Sequence, residues 1–205
     1  MKIIRTANAG VLLEMDGVKL LLDGVCPPYP PYLGTPEAIR ETLLQDPPDA
    51  LAFTHRHPDH YDEEFAENYQ RKTLRPVLGA EDLSPAMVGS LKVTPVATRH
   101  IGKAKLPHVS FIIEGSKCLW FMGDASPLVW KDHTLPKPDV VLLPYAYATT
   151  HAAWKQTKAL GAEKIVLLHL PRWEEDPLDI MGLVQETAGG DPCLLIPEMG
   201  ESIIL

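Results

Sequence analysis

Residues 54–60 read Thr-His-Arg-His-Pro-Asp-His, which puts three imidazoles and one carboxylate within six positions. Residues two apart on an extended chain point the same way, so His55 and His57 can share one cation. The turn imposed by Pro58 can aim Asp59 and His60 at a second. Neutral imidazole nitrogen and carboxylate oxygen are ligands that zinc accepts readily, and iron or manganese also use them. Surface histidines in a polar turn would account for any two of these residues. For all four together, a metal site explains the density better.

Such a cluster needs rigid elements to hold it. Residues 50–54 read as a short buried strand running straight into the cluster, and 62–70 as a surface helix after it. Upstream, 10–15 and 18–22 are strand-like runs joined by Asp16-Gly17, a pair that favours a tight hairpin. The second run ends at Asp23-Gly24 and enters a stretch from Cys26 to Tyr32 whose prolines forbid regular helix and central strand. A helix over 36–44 follows, with Thr35 as cap and Pro36 at its first position, until Asp46-Pro47-Pro48 stops it. Downstream, 91–98, 108–114 and 117–122 are strand candidates, the last running into Gly123-Asp124. An apolar strand over 140–143 leads through Tyr145 and Tyr147 to a helix capped at Thr149 or Thr150 and ended by Gly161. A strand over 164–168 delivers His169, before a helix over 177–188 and a closing strand over 202–205. Strands first and strand-helix-strand units later predict sheets with helices on their outer faces, an α/β sandwich of α, β, β and α layers.

At 205 residues and 45% hydrophobic content, the chain suits one domain over 1–205 with a sizeable core. No apolar run approaches the roughly 20 residues needed to cross a bilayer, so no membrane partner is expected. The opening residues run straight into a strand pattern with no secretory signal, and Cys26, Cys118 and Cys193 are too scattered for a disulfide framework or thiolate cluster. A cytoplasmic location is the expectation. The formal charge of −8 argues against nucleic acid as a partner, because phosphate contact depends on clustered Lys and Arg.

His-x-His-x-Asp-His after a buried strand resembles the signature of the metallo-β-lactamase superfamily. The resemblance extends over nearly the whole chain, because the superfamily's other elements occur in order: an early strand-end Asp, a third His, a Gly-Asp and a late strand-end His, matched by Asp23, His100, Asp124 and His169. It implies the four-layer αββα fold and two divalent metal ions, zinc first, with manganese or iron as alternatives. By this resemblance His55, His57 and His100 hold one ion, Asp59, His60 and His169 the other, and Asp124 bridges both. Asp23 would orient the His-rich loop or a ligand imidazole rather than bind metal. His100, Asp124 and His169 each follow a predicted strand, where a rigid scaffold presents site residues. His108 is the rival for the third His, although it begins a strand. Asp124 could instead cap a turn with Gly123. His133 has no such context and reads as surface.

Two dications sharing a water lower its pKa towards neutrality and hold hydroxide ready for attack. The resemblance therefore implies a metal-dependent hydrolase for a small molecule with an ester, lactone or phosphodiester bond, with Asp59 assisting proton transfer. Tyr29 and Tyr32 from the proline-rich loop, with Tyr145, Tyr147 and His151, are candidates for the substrate pocket; packing or solvent exposure is the alternative for each. No glycine-rich His-Thr-Pro-Gly-His segment surrounds His100, unlike the glyoxalase II thioesterases, and His rather than Glu stands at 57, unlike the flavodiiron oxygen reductases. The compact length and Tyr61-Asp62 after His60 are more similar to the lactonase-like branch that includes ascorbate-6-phosphate lactonase relatives. Two other functions compete: a mononuclear iron, oxygen-dependent oxidoreductase similar to persulfide dioxygenases, and a non-catalytic metal-stabilised binding protein.

Overall fold

Alternation of apolar side chains along the strands brings two sheets face to face. In the computed structural model, which describes residues 1–102, 105–127 and 135–205, the first sheet has the order β13-β1-β2-β3-β4-β5. It contains β1 (Lys2–Arg5), β2 (Val11–Met15), β3 (Val18–Leu22), β4 (Ala50–Ala52), β5 (Val77–Leu78) and β13 (Ser202–Ile204). The second sheet runs β12-β11-β10-β9-β8-β7-β6. Its members are β6 (Ala86–Val88), β7 (Leu91–Ala97), β8 (Val109–Glu114), β9 (Cys118–Phe121), β10 (Val140–Pro144), β11 (Lys164–Leu168) and β12 (Leu194–Leu195). Both sheets are built the same way. An antiparallel meander (β1 to β3, β6 to β9) gives way to parallel strands (β3 to β5, β9 to β12).

Parallel neighbours need a crossover, and helices supply it between β3 and β4, β4 and β5, β10 and β11, and β11 and β12. α1 (Glu37–Gln45) and α2 (Glu63–Thr73) lie between the parallel strands of the first sheet, and α3 (His151–Ala159) and α4 (Ile180–Ala188) between those of the second. The strand period of two then decides the layers. Leu20, Leu22, Ala50 and Ala52 face Phe111, Ile113, Phe121, Leu142 and Val166 in a core between the sheets. The intervening Leu21, Leu51 and Phe53 face outward and pack with Leu43 of α1 and Phe65 and Tyr69 of α2. On the far side, Ile112, Trp120, Val141 and Leu167 pack with Trp154 of α3 and Val184 of α4. The layers are α, β, β and α, as the sequence predicts.

Two boundaries differ from the sequence reading for identifiable reasons. Thr35 does not cap α1: its hydroxyl accepts from the Cys26 N–H at 3.2 Å and donates to the Gly24 carbonyl at 3.2 Å, closing the base of the proline-rich loop. Pro36 takes the cap position instead, with no side-chain bond. α4 starts at Ile180 rather than at 177, because the Asp176 carboxylate accepts from the Ile180 and Met181 N–H groups at 2.9 and 2.7 Å. β5, β6 and β12, of two or three residues each, are too short for their period to show in the sequence. His133 lies outside the described residues. No helix among those described is long and apolar enough to cross a membrane.

Candidate metal centre

Strand ends from both sheets converge on one spot. Asp23 follows β3, His55 to His60 follow β4, His100 follows β7, Asp124 follows β9 and His169 follows β11. The chain must turn sharply at these points, and it does so through the left-handed region: φ is 44° at Asp23, 58° at His169 and 50° at Gly123. A Cβ at Gly123 would stand 2.5 Å from the Thr54 hydroxyl, so only glycine lets the end of β9 press against the loop after β4. His100 is pinned beside Asp124 by two backbone bonds of 2.7 Å, Ile101 N–H to Asp124 carbonyl and Ser126 N–H to Arg99 carbonyl. The His169 N–H donates to the Asn8 carbonyl at 3.0 Å, which also receives the buried Arg5 guanidinium.

The side chains form two groups that meet at Asp124. His55, His57, His100 and Asp124 offer ligand atoms within 4.8 Å of one another, and so do Asp59, His60 and His169. In the first, His55 Nε2 lies 3.0 Å from His57 Nδ1, and His100 Nε2 lies 3.4 Å from Asp124 Oδ2. In the second, His169 Nε2 lies 3.0 Å from Asp59 Oδ2. The other oxygen of Asp124, Oδ1, lies 3.4 Å from His60 Nε2 and 3.5 Å from His169 Nε2. Atoms each about 2.0–2.2 Å from a shared tetrahedral ion stand roughly 3.3–3.6 Å apart, which the three separations at Asp124 match, while the two of 3.0 Å are shorter than such an edge. His60 Nε2, His100 Nε2, Asp124 Oδ1 and both ring nitrogens of His169 are buried and have no hydrogen-bond partner among the described residues. Such atoms cost about 1–3 kcal/mol each when left unsatisfied, and divalent cations in the two groups would satisfy all of them except His169 Nδ1, which diverges from Nε2 on the same ring. The nitrogen and oxygen donor set fits zinc, iron or manganese.

No family model matches the chain, and no curated protein does. Solved structures do. A possible metal-dependent hydrolase from Veillonella parvula superposes with a TM-score of 0.74 at 17% identity, covering 100% of this chain and 99% of that one. Igni18, a metallo hydrolase from Ignicoccus hospitalis, does so at 0.67 and 22% identity, over 98% and 97%. YhfI from Bacillus subtilis, a metallo-β-lactamase fold protein, gives 0.64 and 16% identity over 98% of each chain. This chain has the metallo-β-lactamase fold. CmlA, a diiron β-hydroxylase from Streptomyces venezuelae, shares it with a TM-score of 0.65 and 15% identity; this chain covers 54% of that one.

Within this metallo-β-lactamase fold, partners on the far side of each ring set which nitrogen faces inward. Asp23, fully buried, accepts from the Thr54 N–H at 2.7 Å, the Thr54 hydroxyl at 2.5 Å and His60 Nδ1 at 2.8 Å. Its bond to His60 Nδ1 leaves His60 Nε2 to face Asp59, His169 and Asp124. Thr54, its proton committed to Asp23, accepts from His55 Nδ1 at 2.9 Å and frees His55 Nε2 in the same way. His100 Nδ1 donates to the Ile101 carbonyl and frees its Nε2. A further grouping of Asp23, His55 and His60 is therefore a support and not a third ion site.

His108 belongs to neither group. Its Nε2 accepts from the Asp124 N–H at 3.0 Å, and its Nδ1 meets the Thr98 hydroxyl at 2.7 Å. Geometry thus places His100, and not His108, with His55 and His57. Burial pushes His108 down to about 3 and also lowers His55 and His57, so these rings are neutral at physiological pH. Burial works against a proton on His60 too, but the Asp124 and Asp23 carboxylates outweigh it and hold that ring well above the usual range. His100 is raised, burial being outweighed by Asp124 and the Ile101 carbonyl. Burial would raise Asp124, yet His169, His60 and His100 hold it well below the usual carboxylate range. Asp59 is lowered likewise, burial yielding to His169 and His60.

A cavity of about 420 Å³ opens over both groups, lined by Tyr29, Tyr32, Tyr145, His57, Asp59 and His169 among others. The Tyr32 ring meets His169 edge-on at 4.3 Å, and its hydroxyl is hydrogen-bonded to that of Tyr145. Burial raises both phenols, so both keep their protons. Of the tyrosines named from the sequence, Tyr29, Tyr32 and Tyr145 line this cavity. Tyr147 does not: it is fully buried in the core beneath α3, in the cluster against which Tyr145, only partly buried, packs. His151 is exposed in the first turn of α3, away from the cavity lining. Thr54 carries no role in the sequence reading, because the carboxylate it holds, Asp23, lies far away along the chain, and His108 enters that reading only as the rival third His.

Proposed function

We propose that this protein is a metal-dependent hydrolase that holds two divalent ions, zinc first with manganese or iron as alternatives, and cleaves an ester, lactone or phosphodiester bond in a small molecule. The observation that carries this reading is the division of Asp124, whose Oδ2 faces His100 while its Oδ1 faces His60 and His169. His55, His57 and His100 would hold one ion and Asp59, His60 and His169 the other, with Asp124 serving both. Two divalent ions there would activate water at neutral pH and draw charge from the bond being broken.

The chain's own residues supply orientation and proton handling. Asp59 lines the cavity, and its lowered affinity for a proton makes it a ligand first and a transient proton acceptor second. Tyr32 and Tyr145 keep their protons and would donate hydrogen bonds to a substrate oxygen as charge develops on it. The cavity volume of about 420 Å³ and the net charge of −8 support a small-molecule substrate over nucleic acid. The half-buried His57 and exposed Pro58 line the cavity, so it reaches solvent, which weighs against a closed metal-stabilised binding protein.

Elemental analysis of protein prepared without added metal, joined to a hydrolysis screen before and after chelation, tests the proposal. Two zinc or manganese ions per chain with chelator-sensitive turnover is the expected result. No metal after reconstitution would remove its basis. The likeness to a diiron hydroxylase favours one rival, a two-iron oxidoreductase at the same ligands, for which iron content and oxygen uptake without hydrolysis would be found. Seven candidate ligands in two groups favour two ions over a single iron, which needs only a facial triad.

A further inference from the structure

A chain of four hydrogen bonds runs beneath Asp124, and its direction follows from its ends. The Asp124 N–H can only donate, and it donates to His108 Nε2 at 3.0 Å. That ring therefore carries its proton on Nδ1, which donates to the Thr98 hydroxyl at 2.7 Å. At the other end the Met122 carbonyl can only accept, and it accepts from the Ser110 hydroxyl at 3.1 Å. Ser110 in turn accepts from Thr98 at 3.2 Å. The chain begins at Asp124 and closes on Met122, so it clasps the turn at Gly123, against which Thr54 also packs closely. An imidazole suits this place because one side chain must accept at one end and donate at the other.

We propose that His108 is the positioning residue of Asp124: by holding that residue's backbone amide, it keeps the shared carboxylate centred between the two ligand groups. The inference rests on the reading that Asp124 serves both. Asp124 has no second side-chain support among the described residues: its carboxylate oxygens point at His60, His100 and His169, and its backbone carbonyl is taken by Ile101 N–H. Freed from His108, the amide would lose a buried partner and the φ +50° turn before it would lose its clasp. Both ions would then feel the change, because one oxygen of Asp124 goes to each group. Partners that orient ligands in this way are worth about 10- to 100-fold in metal affinity.

The test is zinc affinity by chelator competition in the full-length protein, comparing His108→Asn and His108→Gln with wild type. Gln reaches the Asp124 amide with an acceptor, whereas Asn offers only the donor towards Thr98. The expected result is a loss of about 10- to 100-fold at both zinc sites in the Asn variant and substantial recovery in the Gln variant. A purely structural His108 would lower thermal stability in both variants and leave zinc affinity unchanged in the folded protein; that outcome overturns the proposal. Should His108→Asn not fold, nitrogen NMR of wild-type protein loaded with cadmium-113 decides the matter. Coupling of cadmium to five imidazoles, with His108 uncoupled and protonated on Nδ1, supports the role; coupling to His108 makes it a ligand and overturns it. Wild-type protein that binds no zinc overturns the hydrolase reading and this inference together. Two tightly held zinc ions in His108→Asn overturn this inference alone.

Discussion

The two sheets contribute to the site on unequal terms. The first delivers His55, His57, Asp59 and His60 from one loop after β4, whereas the second delivers His100, Asp124 and His169 from three separate strand ends. The supports differ accordingly. A single buried carboxylate, Asp23, holds the loop at Thr54 and His60, and reaches His55 through the Thr54 hydroxyl. Each strand-end residue has its own backbone fastening: Ile101 and Ser126 flanking His100, His108 under Asp124, and Asn8 at His169. Ligands gathered in a loop should fail together when their one support goes, and ligands on separate strands should fail singly. Asp124 is the exception, because it alone faces both groups.

Asp124→Ala puts this contrast to its strongest test. Both ions should be lost and hydrolysis should fall on the order of a thousandfold, while His169→Ala should keep the ion of the first group; metal counting by elemental analysis separates the two. An Asp124→Ala protein that retains one tight ion would show that the carboxylate belongs to one group only. Next in size is Asp23→Ala, which strips a partner from three buried donors. It should cost about 3–5 kcal/mol in chemical unfolding and weaken both groups, since His55 and His60 depend on it alike. Weakening at His60 alone would limit the shared support to one ligand.

The pH dependence of metal binding follows from the direction of the shifts. His60 and His100 are raised in the metal-free protein, so zinc must displace protons from them, and affinity falls as pH falls. His55 and His57 are lowered and need lose none. His60, held by two carboxylates, should therefore make the second group the first to release its ion on acidification, as read by metal content across a pH series. Simultaneous release would show that the two groups titrate as one unit. The smallest effect concerns the cavity wall: Tyr145→Phe should lower kcat/KM by about tenfold or less without changing metal content, and His151→Ala should change neither.

The loop after β4 was the most legible part of the molecule, because its residues are adjacent in sequence and their types speak for one chemistry. The layers were legible too, from runs whose side chains alternate in and out. What could not be read was any arrangement made between distant positions. His100 and His108 stand eight apart near strand boundaries, and only the Asp124 N–H pointing at His108 Nε2 separates them. Tyr145 and Tyr147 looked equivalent beyond β10, but the 3-10 turn sends one to the cavity and the other to the core. Thr35 had the type and place of a helix cap, and a closer demand from Cys26 and Gly24 took its hydroxyl.

Asp23 and His169 both hold a positive φ, and this narrows the alphabet open to them before any chemistry is considered. Aspartate, asparagine, histidine and glycine tolerate that backbone best; a β-branched or bulky residue does not. The backbone's preferences overlap with those of a metal or its supporting carboxylate, so the same few residues satisfy both demands at each position. A loss of function after replacement by alanine at either place would mix about 1–2 kcal/mol of backbone conformational penalty with the loss of the side chain. Asparagine, at ease in the same conformation, separates the two, and is the substitution by which the chemistry of these two strand ends is best measured.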